Sequence, residues 1–271
     1  MSRAERTGGR RRATPPTLVV LVRHGVTETT GRELPGRAPG LHLSDAGRQQ
    51  AESAAARVVA LTRRGDGASS NGSTPEAAGA EDGAEGAEKA EKSDKPAEKR
   101  SSAKSKTKAK AKAPAAVVYA SPLERTSETA APIAAALGVE VQPDDGLLEL
   151  DMGEWTGLAL ATARKRKEWS TIQRYPSSFR FPGGESFLDM QTRMVGTIDR
   201  LRGAHPGQLV VAVSHADPIR ALVAHAMGTH LDLFQRIVIS PCSLTGIVFG
   251  TEGPVVLMVN ATDDSRALVP S

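Results

Sequence analysis

Two histidines and two arginines follow apolar segments that predict buried β-strands. Arg23 and His24 come directly after the apolar run 18–22, and His215 follows the run 208–214. Arg125 lies a few residues beyond a third run, 116–120. Short β-branched runs are typical of strands buried on both faces of a parallel sheet, and ligands bind at the carboxyl ends of such strands. We therefore expect these four side chains to meet at one edge of a sheet.

A cluster of this kind repels itself unless an anion lies between its members. Guanidinium groups bind phosphate oxygens in pairs, and a helix N-terminus adds backbone N–H donors. A single histidine at a strand end would ordinarily be interpreted as structural. The combination of three strand ends favours a phosphate site.

The segment 147–157 supplies carboxylates to the same region. It contains Glu149, Asp151 and Glu154, and Trp155 is expected to anchor it. A carboxyl group beside a bound phosphate can act as a general acid and base, whereas the alternative is a solvated loop acid. Thr27 either gives its hydroxyl to the phosphate or caps a turn.

The rest of the chain alternates between predicted helices and strands. The pattern predicts an α/β fold, a three-layer sandwich with a mainly parallel central sheet covered by helices on both faces. Five helices are predicted: 45–61 with Ser44 as N-cap, 122–137 with Pro122 early in the helix, 158–169, 184–203 and one from His215 to about 227. The remaining predicted strands are an edge strand at 139–142 and strands or hairpins within 236–260.

Between the first helix and the second strand lies a segment of different composition. Residues 64–115 contain Gly, Ser and Pro, then Ala, Glu and Gly, then alternating Ala and Lys, with no large aliphatic or aromatic residue after position 65. Such a segment cannot bury enough apolar area to offset its ordering entropy. We predict a disordered basic tail at 1–16, one catalytic domain from 17–63 and 116–262, a disordered charged insertion at 64–115 and a C-terminal tail at 263–271.

The formal charge of +4 comes from the tail and the insertion, since acidic residues slightly outnumber basic ones elsewhere. The body therefore gives no reason to expect a nucleic-acid-binding surface. The lone Cys242 excludes an internal disulfide and favours a cytoplasmic location, and its neighbourhood indicates a buried structural thiol. No apolar run is long enough to span a membrane, and the N-terminus lacks the apolar core of a secretory signal. His215 and Asp217 have no partners at metal-ligand spacing.

Four motifs in order resemble the histidine phosphatase superfamily, which has the phosphoglycerate-mutase-like fold. The run LVRHGVT at 21–27 resembles its RHG signature, and SPLERTSETA at 121–130 resembles its second arginine motif. The acid motif is matched by 149–157, and Ser214-His215 resembles the second histidine motif. PGGES at 182–186 is also common there. The overall pattern is most similar to actinobacterial proteins usually described as probable phosphomutases.

The resemblance implies roles for individual residues. His24 would be the nucleophile that forms a phosphohistidine, and Glu149 would be the proton donor and acceptor. Arg23, Arg125 and His215 would hold the phosphoryl oxygens, together with the substrate-binding positions Thr27 and Ala216. Neither a metal nor another cofactor is implied.

The chain departs from the family pattern at two positions. Many relatives carry Asn where this chain has Thr30, which puts one phosphate contact in doubt, and Gly where it has Ala216. Asp217 would either orient His215 or complement the helix dipole. Specificity is expected from 31–40, with Arg32 and Arg37, and from 163–181, with Arg164, Lys165, Arg166, Arg174 and Arg180.

Three functions are compatible with these residues. The first is a metal-independent phosphomonoesterase acting on a small phosphorylated metabolite, and the second is a phosphomutase primed by a bisphosphate. The third is an inactive family member that binds partners through its charged insertion. The interval from Glu149 to His215 is short for a mutase, which favours hydrolysis, and the C-terminal strands would allow a homodimer.

Overall fold

The computed structural model describes residues 15–64 and 116–263. The predictions of a disordered N-terminal tail, a disordered insertion and a C-terminal tail therefore fall almost entirely outside the described residues. The strands are β1 (Thr17–Arg23), β2 (Glu33–Leu34), β3 (Ala116–Ala120), β4 (Val141–Pro143), β5 (Leu158–Ala159), β6 (Leu209–Ser214), β7 (Leu244–Gly250) and β8 (Gly253–Ala261). The α-helices are α1 (Asp45–Arg64), α2 (Glu124–Leu137), α3 (Leu160–Ala163), α4 (Trp169–Arg174), α5 (Phe187–Ala204) and α6 (Ala216–Ala226).

Six strands form the central sheet in the order β4-β3-β6-β1-β7-β8. The pairs from β4 to β1 are parallel, and β7 and β8 add an antiparallel hairpin at the other edge. The registers align Arg23 with Ser214 and Ala120 with Val213, so the carboxyl ends of β1, β6 and β3 lie side by side. The α/β fold with a mainly parallel sheet is confirmed.

Alternate residues of β1 pack into two different cores. Val20 and Val22 belong to a cluster with the alanine-rich faces of α1 and α2. Val19 and Leu21 belong to a cluster with the inner faces of α5 and α6. A strand that buries both faces needs apolar residues at every position, which explains the continuous run. The helices therefore cover the sheet on both sides.

The acid motif lies over a third core. Trp155 is 1% exposed and packs edge-on against Phe181, in a cluster that also contains Leu150 and Phe187. A small antiparallel sheet borders this core, in which β2 pairs with β5. Trp155 anchors the acid loop as the sequence predicts.

The predicted helix at 158–169 is wrong. Residues 158–159 pair with β2, α3 covers four residues, and α4 begins only at Trp169. Arg164, Lys165, Arg166 and Lys167 are all exposed and lie in turns between the two short helices. A run of four cations has no apolar face to pack, so it cannot hold one continuous amphipathic helix against the core.

Several other boundaries differ from prediction. α5 begins at Phe187 because Ser186 and Asp189 form a capping box. α2 begins at Glu124, so Pro122 precedes the helix instead of lying in its first turn. In the C-terminal region, the predicted strands begin only at Leu244, and Leu231–Arg236 is a 3₁₀ helix. Ser44 caps α1 as predicted, since its Oγ accepts the Gly47 N–H at 3.2 Å.

Among the residues that the structure describes, no helix combines the length and apolarity that a membrane span requires.

Candidate active site

The two histidines meet where β1 and β6 end. His24 follows the last residue of β1 and His215 follows the last residue of β6, and their ring centroids lie 5.2 Å apart. His24 is 5% exposed and His215 is fully buried. The sequence prediction that these strand ends share one edge of the sheet is confirmed.

One backbone contact decides which nitrogen of His24 is free. Nδ1 lies 2.8 Å from the Gly25 carbonyl oxygen, which can only accept, so Nδ1 carries the proton of the neutral ring. The lone pair is therefore on Nε2. Burial, reinforced by the charges of Arg23 and Arg125, holds the pKa of His24 well below its usual range. The imidazole is thus neutral at physiological pH, the state in which a histidine can act as a nucleophile.

The loop after β1 is fixed against two helices. The Gly25 N–H donates to Thr129 Oγ1 at 3.1 Å, and that hydroxyl in turn donates to the Arg125 carbonyl at 2.7 Å. A Cβ on Gly25 would lie 2.6 Å from the Gly47 carbonyl oxygen at the start of α1. Glycine is needed here because the two backbones approach too closely for a side chain.

Both predicted arginines are held by backbone carbonyls. Arg125 is fully buried and its Nη2 donates to the Gly36 oxygen at 2.8 Å. Arg23 Nη1 donates to the Ile239 oxygen at 2.7 Å. These bonds orient the guanidinium groups and leave their other N–H groups unused.

Four N–H donors around the histidines have no acceptor within residues 15–64 and 116–263. They are Nε and Nη1 of Arg125, Nε of Arg23 and Nδ1 of His215. His215 Nε2 lies 3.0 Å from Ser121 Oγ, and a proton donated by that hydroxyl places the ring proton on Nδ1. Unpaired buried donors are costly, so the arrangement is complementary to an anion with several acceptor oxygens.

Glu149 is a buried carboxyl group that interacts electrostatically with Arg125 and Arg23. It is 7% exposed, and its Oε1 accepts the Leu150 N–H at 2.9 Å. Burial, aided by the negative charge of Asp217, raises the pKa of Glu149 to about 7, against the opposing effects of that N–H and of Arg125 and Arg23. A carboxyl group with this pKa can both donate and accept a proton near neutral pH.

The rival carboxylates lie elsewhere. Asp151 accepts the Gly153 N–H at 3.0 Å and faces Arg37 at 3.7 Å, with 40% of its side chain exposed. Glu154 is exposed. Neither side chain is buried as that of Glu149 is.

Two arginines and one glutamate clamp the backbone of the acid loop. Arg193 Nη1 donates to the carbonyls of Gly146 and Leu148, both at 2.9 Å, and Arg37 Nε donates to the Glu149 carbonyl at 2.8 Å. Glu185 joins them, accepting from Arg193 at 2.8 and 2.9 Å and from Arg37 at 2.9 Å. We call these three residues the acid-loop clamp.

The remaining predicted residues have local partners. Thr27 is 3% exposed, its N–H donates to Thr30 Oγ1 at 2.9 Å, and the two hydroxyls lie 3.0 Å apart. Thr30 thus closes the turn in which Thr27 lies. Ala216 is the first residue of α6, so its N–H has no acceptor within that helix. Asp217 accepts from Arg220 at 3.0 Å, and among the described residues no hydrogen bond joins it to His215.

Cys242 is 1% exposed, and burial raises the pKa of its thiol to about 12. Its N–H donates to the Arg23 carbonyl at 3.0 Å, which supports the end of β1. The described part of the chain contains no group of three or more His, Cys, Asp and Glu side chains suited to a metal ion.

The predicted specificity segments differ in their relation to the site. The segment 31–40 reaches it, since Gly36 binds Arg125 and Arg37 binds the acid loop. Arg180 instead pairs with Asp189. Arg166 lies over the ring of Trp155, 4.7 Å from its centroid, on the outer side of the third core.

Sequence reasoning missed the acid-loop clamp and the roles of Ser121 and Thr129. Ser121 and Thr129 belong to the matched motif 121–130 and Glu185 belongs to PGGES, but the motifs did not indicate what these side chains contact. Arg193 carries no local signal, because its function depends on a contact made across more than forty residues.

Comparison with known proteins agrees with this geometry. Residues 19–71 and 97–262 match the histidine phosphatase superfamily (branch 1). Phosphoserine phosphatase 1 of Hydrogenobacter thermophilus is 33% identical over 156 residues, which cover 54% of this chain and 70% of that protein. A bifunctional protein of Mycobacterium tuberculosis is 36% identical over 149 residues, but the matched region spans only 41% of its length.

Solved structures agree in fold. A phosphoserine phosphatase from Entamoeba histolytica superposes with a TM-score of 0.66 at 18% identity, covering 91% of this chain and 98% of that one. The match of the family over most of the sequence is the decisive finding. This chain belongs to the histidine phosphatase superfamily.

Proposed function

We propose that this chain is a phosphatase that hydrolyses phosphomonoesters of small metabolites through a phosphohistidine on His24. The observation that carries the proposal is the set of four buried N–H donors, described above, beside the free Nε2 of His24. Three phosphoryl oxygens offer more than enough acceptors for these donors. The related phosphoserine phosphatase supports a small phosphorylated substrate.

The first step transfers the phosphoryl group to the enzyme. His24 Nε2 attacks phosphorus while the bond to the leaving oxygen breaks, and protonated Glu149 gives its proton to that oxygen. Arg23, Arg125 and His215 stabilise the charge on the phosphoryl oxygens, and the N-terminus of α6 at Ala216 adds to the positive field.

The second step returns the enzyme to its starting state. Ionised Glu149 takes a proton from water, the resulting nucleophile attacks phosphorus, and the bond to Nε2 breaks. Inorganic phosphate leaves, and Glu149 is again protonated. Fixed cations do here what a metal ion does in other phosphatases, so no metal is needed in this mechanism.

The test compares wild type with His24→Ala in the presence of a chelator. We expect the wild type to release phosphate from a panel of metabolite monoesters and to form an acid-labile phosphoenzyme, and His24→Ala to do neither. His225→Ala is the matched control, because His225 is exposed on α6. Turnover that persists in His24→Ala, or that the chelator abolishes, would overturn the proposal.

The same assay separates the alternatives. A phosphomutase would require a bisphosphate for multiple turnovers and would pass the phosphoryl group to a second substrate. An inactive binding protein would show no phosphoenzyme with any donor. A homodimer and a cytoplasmic location stay predictions; the exposed Val255 and Leu257 on the edge strand β8 suit a subunit contact.

A further inference from the structure

A cavity of about 190 Å³ lies beside the candidate active site. Its lining includes Leu34, Met152 and Asp217. Leu34 lies two positions before Gly36, whose carbonyl binds Arg125. Met152 lies three positions after Glu149, and Asp217 lies two positions after His215. The cavity wall is therefore built from the same three segments that carry the phosphate-binding groups and the acid.

The cavity borders the acid loop and the start of α6, since Met152 and Asp217 line it. The negative charge of Asp217 acts on Glu149, and the charge of Arg220, which also lines the cavity, acts on Arg23. Glu149 is the proposed proton donor to the leaving oxygen. A leaving group protonated by Glu149 is therefore placed on the side of Met152, Asp217 and Arg220, which line the cavity together.

One face of α4 forms the opposite wall. Trp169, Ile172 and Gln173 all line the cavity, and their spacing of three and four residues places them on one side of the helix. Trp169 and Ile172, together with Leu34, Met152 and two phenylalanines, make most of the lining apolar. A volume of this size is below the ~300–1,000 Å³ of pockets for drug-sized ligands and equals about six waters.

The polar part of the lining carries no net charge. Arg220 Nη1 donates to Asp217 Oδ1 at 3.0 Å, so the two charges compensate each other. The buried Nε–H of Arg220 finds no acceptor among the described residues. The pair therefore offers a donor and a second carboxylate oxygen side by side, which suits a neutral hydroxyl or amide.

We propose that this cavity binds the leaving group of the substrate and that the substrate is a monoester of a compact, uncharged, partly apolar alcohol. The inference rests on the proposed phosphatase function. None of the arginines and lysines of the segment 163–181 lines this cavity, which agrees with an uncharged leaving group. Trp169 would be a specificity-determining residue.

Four alkyl monoesters test the proposal: benzyl phosphate, glycerol 1-phosphate, 3-phosphoglycerate and O-phosphoserine. Their leaving oxygens are chemically similar. We expect kcat/KM to decrease from benzyl phosphate to glycerol 1-phosphate to 3-phosphoglycerate, by at least tenfold overall. The first comparison isolates the apolar body, and the second isolates the carboxylate. Trp169→Ala should lower kcat/KM for benzyl phosphate at least tenfold and that for glycerol 1-phosphate less than threefold. Tyr175→Ala is the matched control, since Tyr175 is exposed on the same segment and does not line the cavity.

Rapid-quench kinetics distinguish a binding role from a structural one. Trp169→Ala should slow phosphoenzyme formation from benzyl phosphate and leave phosphoenzyme hydrolysis unchanged, because the leaving group has departed by then. Gln173 is exposed, so Gln173→Ala carries little risk to folding. This variant should lower kcat/KM for glycerol 1-phosphate more than kcat/KM for benzyl phosphate.

Two outcomes would overturn the inference, and a third would reject the phosphatase function on which it rests. A preference for 3-phosphoglycerate or for zwitterionic O-phosphoserine would contradict an uncharged leaving group. Equal losses of Trp169→Ala on all substrates and in both steps would indicate a structural role. A phosphoenzyme that forms with any of the esters upholds the proposed phosphatase in each case, whereas its absence in wild type would reject that function itself.

Discussion

Glu149 is the proposed proton donor and acceptor, and its buried carboxyl group also affects the stability of the fold. Its pKa of about 7 is raised first by burial and then by the charge of Asp217. The proton is therefore available in the first step, and the carboxylate is available in the second. The neutral His24 beside it needs no deprotonation at the same pH.

The pH dependence of kcat/KM follows from these two groups. The acid must be protonated, so kcat/KM should fall as pH rises through about 7. No loss is expected as pH falls through the usual histidine range, since the pKa of His24 lies well below it. Stopped-assay profiles of wild type and Asp217→Asn test this: removing the negative charge should move the descending limb to lower pH. A descending limb that stays at the same pH in Asp217→Asn would show that the charge of Asp217 does not raise the pKa of Glu149.

Replacing the acid should slow only the steps that need it. Glu149→Gln should lower kcat/KM for an alkyl phosphate by about 10²–10⁴-fold, the usual contribution of a positioned proton donor. An aryl phosphate with an acidic leaving group should lose much less in phosphoenzyme formation, because its oxygen needs no proton. Similar losses on both esters would point to misfolding, which near-ultraviolet circular dichroism would reveal.

The same carboxyl group should reduce stability at alkaline pH. Its folded pKa of about 7 lies above the value of 4.5 for an unperturbed Glu, so its favourable contribution is complete below 4.5 and is lost as pH rises through 7. The difference corresponds to about 3 kcal/mol. Urea unfolding should therefore show that the free energy of unfolding of wild type falls between pH 4.5 and pH 8 by more than that of Glu149→Gln. Exposed Glu154→Gln should show no such pH dependence.

At the scale of elements, the acid-loop clamp joins the segment before α1, the acid loop and α5. Glu185 accepts three N–H bonds at 2.8–2.9 Å with only 14% of its side chain exposed. Glu185→Gln should destabilise the fold by about 2 kcal/mol and lower kcat more than it raises KM, because Glu149 loses its position. Asp199→Asn, a carboxylate in an exposed pair with Arg202, should change stability by less than ~1 kcal/mol. Equal effects would exclude the clamp as a positioning device.

The strands and the four motif segments could be predicted because their information is local. A run such as 18–22 needs no distant partner to be recognised as a buried strand, and the motifs lie at strand ends. The region 158–181 could not be predicted in the same way. Its backbone follows β2 and the aromatic core around Trp155, which are contacts formed only in the folded chain. Arg193 escaped notice for the same reason.

At the scale of the whole molecule, the candidate active site lies at one edge of the sheet, and the chain positions Arg64 and Ala116, between which the insertion lies in sequence, are directed away from that edge. β1 and β3 are parallel and end at the site, so Ala116 begins at the far edge. α1 starts near the site at Asp45 and runs away from it to Arg64. Replacing 66–114 with a Gly/Ser linker should therefore leave kcat/KM within about twofold of the full chain. A larger loss would show that the insertion contributes to the reaction.

The unpaired donors around His24 also bear on how the enzyme responds to its own product. Inorganic phosphate offers the same oxygens as the substrate and would satisfy the same N–H groups, so the folded protein should be stabilised by free phosphate in proportion to its occupancy. Rising phosphate should slow turnover competitively and raise Tm in parallel, and Arg125→Met should weaken both effects. An enzyme with this site would be subject to product inhibition, and its rate in the cell would fall as the local phosphate concentration rises.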